Sequence, residues 1–172
     1  MINVRVGKFS KAIIHILIIF FAFFIQTSIF PLIPFLSCSP NLLLIITFSY
    51  GLLYGEDVGI ITGLFCGFLC DMYFNGVFGL YILIYSVIGF ANGILNASFF
   101  EDTITLPMLL SLVNGLVYNV YIYITHFLIR RRFNFPFYLF NVIAPSILFT
   151  LITTVLIYKL LYKLNLIHKR TL

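Results

Sequence analysis

The ten lysines and arginines of this 172-residue chain fall into three clusters, and this segregation constrains the fold more than any other feature. Arg5, Lys8 and Lys11 form the first cluster, Arg130, Arg131 and Arg132 the second, and Lys159, Lys163, Lys169 and Arg170 the third. Between them lie long apolar runs. Only 9% of residues are charged and 62% are hydrophobic, whereas soluble domains carry about a quarter charged residues. A soluble domain this poor in charge would expose large apolar patches and aggregate. The chain therefore reads as an all-α integral membrane protein, one polytopic domain over residues 1–172. Its basic clusters read as membrane flanks, so the net charge of +5 does not point to nucleic acid.

The apolar run Ala12–Phe30 has 19 residues, longer than the ~7–15 of a signal-peptide core, and no A-x-A-like site follows it. It reads as a retained span. Pro31 and Pro34 close it, and "GEDVG" at 55–59, "FNGVFG" at 74–79, "FFEDT" at 99–103 and "RRRFNF" at 130–135 mark later breaks. Six spans result, at about 12–30, 41–54, 58–73, 78–97, 107–128 and 137–158. The second and third are short, tilted or shielded by neighbours, and Pro145 is expected to kink the sixth. Joining Asn41 to Cys70 as one span would place Glu56 and Asp57 at the bilayer centre, at ~2.5–3.5 kcal/mol each. Two short helices joined by an acidic turn avoid that. With both termini cytoplasmic, seven basic residues lie inside and Arg130, Arg131 and Arg132 lie outside, so the positive-inside rule favours this orientation.

One stretch carries more than hydropathy. In "GIITGLFCGFLCD", Gly59, Gly63, Gly67 and Asp71 follow at four-residue steps, one line along a helix. Close backbone approach through small residues is what distinguishes a neighbouring helix from lipid. The glycines therefore seat either another helix of the same bundle, or a ligand or a partner's helix. Asp71 stands 13 residues beyond Val58, about 20 Å along the helix, in the outer half or at the outer interface. It is either an interfacial carboxylate in water or the partner of Arg130, Arg131 or Arg132, which this topology puts on the same side.

Gln26, Asn92, Asn96, Asn114 and Asn119 read as hydrogen-bond glue between helices. Tyr81, Tyr85, Gly89 and Gly93 repeat at four-residue spacing, so the fourth helix can also pack closely. Cys66 and Cys70 are one turn apart and read as small packing residues; Cys38 is remote. His15, His126 and His168 are scattered, so neither a metal site nor a cofactor is expected. No paired carboxylates face a histidine and no nucleophile or phosphate-loop motif occurs, so no enzyme is expected. An enzyme acting on lipid or isoprenoid substrates would also need a charged catalytic cluster.

The order of these features resembles the rod shape-determining protein MreD family. Pro40 and Asn41 open the second span, a glycine-rich third span ends in Gly67, Phe68 and Asp71, and a short turn with Gly76, Gly79 and Leu80 leads into the fourth. The specific part covers Pro40 to Gly93; the last two spans match in length and hydropathy. The resemblance implies a non-enzymatic scaffold of the bacterial cell-elongation machinery in the inner membrane. It implies binding to MreC, and a complex with MreB filaments, the glycosyltransferase RodA and a class B transpeptidase. It also implies a compact bundle like the six-helix substrate-binding subunits of energy-coupling-factor vitamin transporters. The alternative function is such a transporter subunit itself, but the A-x-x-x-A docking pattern of those first helices is absent: the first span has only Ala12 and Ala22.

Overall fold

The computed structural model describes residues 2–32, 40–74, 77–98, 105–130, 139 and 143–169, with side chains from 13 to 125 and to 163 within those segments. Apart from short turns, those residues are helical, and no strand occurs among them. The six α-helices are α1 (Ile2–Phe24), α2 (Leu42–Tyr54), α3 (Glu56–Tyr73), α4 (Leu80–Ile94), α5 (Thr105–Arg130) and α6 (Ala144–Lys169). A π-helical turn, Ile25–Ile29, and a 3-10 turn, Phe30–Leu32, extend α1; a 3-10 turn, Leu95–Ser98, extends α4. Four stretches are long and apolar enough to cross a membrane: Ile13–Leu32, Leu80–Ala97, Thr105–Thr125 and Ala144–Lys163.

α2 lies at the centre. Every residue from Leu42 to Leu52 is buried, including Thr47 and Ser49. It is apolar around its whole circumference, the pattern of a helix enclosed on all sides. Its 13 residues reach only about 20 Å, short of the ~30 Å hydrocarbon core. α1, α3, α4, α5 and α6 all pack against it. Their outer faces expose large apolar side chains, such as Leu17 and Phe21 on α1, Leu109 and Val113 on α5, and Leu148 and Ile152 on α6. A bundle polar at points inside and apolar outside is built for lipid.

The break between α2 and α3 is a single residue, Gly55, with φ of +94°. That left-handed conformation suits glycine, and it turns the chain back so that Glu56 and Asp57 emerge at one end of the bundle, exposed. They occupy the first turn of α3, where negative charge is favoured. Pro145 does not kink the sixth helix: it sits in the first turn of α6, where its missing N–H costs no hydrogen bond. α6 also runs on to Lys169, past the expected boundary at 158.

Candidate functional site

The glycine line faces α4. A Cβ at Gly59 would run into the Gly89 carbonyl and come within 3 Å of Gly51 Cα. One at Gly63 would overlap the Tyr85 carbonyl, and one at Gly67 would lie 2.5 Å from Ile82 Cα and 2.6 Å from the Tyr81 carbonyl oxygen. The complementary residues are glycines where the backbones come closest: Gly89 meets Gly59, Gly93 meets Glu56, and Gly51 of α2 lies 2.6 Å, Cβ to oxygen, from Gly89. Every obstacle within 3.0 Å is backbone, which cannot rotate away. Three helices thus meet around Gly51, Gly59 and Gly89. The groove is filled by α4 of the same chain, and a ligand or a partner's helix would have to displace it.

Asp71 closes the seam. It is 8% exposed, and its two carboxylate oxygens accept from the Tyr81 N–H (3.1 Å) and the Ile82 N–H (3.0 Å). Those amides belong to the first turn of α4, which has no hydrogen-bonding partner inside the helix. The carboxylate of one helix therefore caps the next, and its charge opposes the positive end of the α4 dipole. Gly79, at φ +102°, is the residue before α4 and bends the chain into that position. Gly76, Arg131, Arg132 and the Arg130 side chain lie outside the described residues, as does Cys38.

Asn41 organises the start of α2, which is buried. Its Oδ1 accepts from the Leu44 N–H (3.0 Å) and from the Tyr85 hydroxyl (2.8 Å). Its own N–H donates to Thr150 Oγ1 on α6 (3.3 Å). The Leu42 N–H donates to the Pro40 carbonyl (3.1 Å), and the Leu43 N–H to Gln26 Oε1 (3.1 Å), carried on the widened π turn after α1. Every free donor at this buried helix end is thereby satisfied. The Cys70 thiol reaches the Tyr85 hydroxyl at 4.0 Å. At the other end of α2, Asn96 Nδ2 donates to the Leu52 carbonyl (2.6 Å).

Two further clamps join the outer helices. Asn92 of α4 and Asn114 of α5 exchange amide hydrogen bonds at 3.1 and 3.0 Å, and Ser111 of α5 meets Thr154 of α6 at 2.7 Å. Asn119 instead donates to the Gly115 carbonyl of its own helix (2.8 Å). His15 stacks edge-on against Tyr50, with ring centroids 4.6 Å apart, and beside Tyr54 at 5.5 Å. Cys66 and Cys70 are buried free thiols. Among the described residues, no group of three or more metal-ligating side chains stands together.

Sequence reading singled out the glycines, Asp71, Pro40 and Asn41, and the structure brings them into one body, the α2–α4 core. Thr150 and the hydroxyl contact of Tyr85 were missed as parts of the Asn41 node, because they are 109 and 44 residues distant in sequence.

A family model described as rod shape-determining protein MreD matches residues 8–166. The comparisons gave no match among curated proteins or solved structures. With the match spanning nearly the whole chain and four helices able to cross a bilayer, the chain belongs to the MreD family of bacterial rod shape-determining membrane proteins.

Proposed function

We propose that this protein is a non-enzymatic scaffold of the cell-elongation machinery. It sits in the inner membrane with six spans and both termini cytoplasmic. It binds MreC, and through that contact connects MreB filaments to RodA and its class B transpeptidase. The family match carries this reading. The interior supports it: the buried polar groups Asn41, Tyr85, Asp71, Asn92, Asn114, Ser111 and Thr154 are engaged in holding helices to one another. The compact arrangement around a short central helix is what we compare with the substrate-binding subunits of energy-coupling-factor transporters.

We also propose that one of Arg130, Arg131 and Arg132 lies beside Asp71, whose oxygens each keep a second lone pair after binding the α4 amides. Charge reversal at both positions then restores protein lost by reversal at one. Failure of all three arginines to rescue rejects the pairing.

Depletion of the protein in its native rod-shaped host tests the main reading. Rounded cells with intact vitamin uptake are expected, together with co-purification of MreC with the tagged protein. Normal shape with loss of uptake of one nutrient contradicts it and supports the transporter subunit.

A further inference from the structure

Helix length differs sharply around the bundle. α3 is bounded at one end by the exposed Glu56 and Asp57. Lysine and arginine can reach back to water from within the hydrocarbon, but a short carboxylate side chain cannot. Asp57 therefore marks the edge of the apolar belt on this face. At the other end Tyr73 is exposed, an aromatic residue with a polar tip of the kind that settles at headgroup level. From Asp57 to Tyr73 is sixteen helical steps, about 24 Å with the helix upright and less with any tilt. α4 beside it, Leu80–Ile94 with its 3-10 extension Leu95–Ser98, is about 27 Å. α5 is helical and free of Asp, Glu, Lys and Arg from Thr105 to Ile129, about 36 Å, enough to cross an ordinary hydrocarbon core.

The glycine seam keeps the short face short. Gly59, Gly63, Gly67 and Gly89 lock α3 to α4 backbone against backbone, so neither helix can slide along the other to lengthen the belt. The outward residues are Ile61, Leu64, Phe68 and Met72 on α3 and Leu83, Val87, Phe90 and Ile94 on α4, all exposed. A partner helix in the membrane is held by runs of small residues or by side-chain hydrogen bonds; on this surface the small side chains are Ala91, exposed among bulky Leu83, Val87 and Ile94, and the half-buried Ser86. Its nearest hydroxyl, Ser86, is returned to the Ile82 carbonyl of its own helix at 2.5 Å.

We propose that the α3–α4 face is a lipid-contacting surface that thins the bilayer locally and selects phospholipids with short acyl chains, while the α5 face accepts chains of ordinary length. The inference rests on membrane insertion of the bundle and not on its role in cell shape.

The chain has no tryptophan, so an introduced one is a background-free reporter. Leu64→Trp and Ile61→Trp place it on the α3 face and Val113→Trp on α5, all at exposed positions. Each variant is reconstituted in vesicles of brominated phosphatidylcholines with 14-carbon and 22-carbon chains, and quenching gives the relative lipid affinity. At either α3 reporter we expect the 14-carbon lipid to be preferred over the 22-carbon lipid by about threefold more than at Val113→Trp. Glu56→Leu with Asp57→Leu lengthens the belt and is expected to shift the α3 preference toward longer chains. Equal preference at the α3 and α5 faces, no shift on lengthening, or α3 reporters that no brominated lipid quenches because protein covers them would each overturn the proposal.

Discussion

Two antiparallel helix pairs in this bundle are joined in opposite ways. Between α3 and α4 the contact is backbone on backbone, and an added Cβ at Gly59, Gly63 or Gly89 would land within 3 Å of main-chain atoms. Between α5 and α6 the contact is made by side chains: Ser111 meets Thr154, and a Cβ at Gly115 would lie 3.5 Å from Ile147 Cγ1, an ordinary van der Waals distance. Water drives apolar helix faces together in soluble proteins, but lipid does not. One pair gains its attraction from proximity, the other from hydroxyl contacts. The first has no room to adjust and the second has some.

The largest expected effect lies in the seam. Gly63→Ala adds one methyl against the Tyr85 carbonyl, and because no rotamer can relieve it the helices must separate. A loss of about 3 kcal/mol is expected, measured by reversible unfolding in detergent. Asp71→Ala comes next. It leaves the Tyr81 and Ile82 amides without their acceptor, at about 2 kcal/mol; Asp71→Asn, which keeps one acceptor oxygen, is expected to lose less in the same assay. The Asn92–Asn114 pair should show a coupling of about 1 kcal/mol in a double-mutant cycle to alanine. The smallest effect belongs to Gly115→Ala, within about 0.5 kcal/mol of the parent. A Gly63→Ala loss no larger than that of Gly115→Ala would erase the contrast between the two pairs.

The sequence made part of this legible. Gly59, Gly63, Gly67 and Asp71 stand out because four-residue steps trace one helix face whatever the helix meets. What they meet was less visible. Gly89 and Gly93 have the same spacing, but spacing alone does not pair one glycine line with another or with Gly51. Asp71 was recognisable as an acid in an apolar run. Its partners are backbone amides ten and eleven residues on, which carry no residue-type signature. Composition and spacing point such an acid to charged or solvated partners, and nothing in them marks a helix cap. The central burial of α2 had a signal in its uniform hydrophobicity and its length, too short to face lipid without neighbours shielding it. The Asn41 node had none, since Gln26, Tyr85 and Thr150 come from three other helical segments and converge only after folding. Pro145 was misread because a proline within an apolar run looks like a kink until the helix start at Ala144 is known.

The most direct test concerns whom the glycine seam serves. The double variant Gly63→Leu with Gly67→Leu is purified alone in detergent, with no partner present, and its unfolding is compared with that of the parent. If the seam holds α3 to α4 within one chain, the cooperative transition disappears and the protein leaves the elution peak of the folded parent. A variant that unfolds like the parent on its own, and loses only the MreC association proposed above, would show that the glycines face a partner instead.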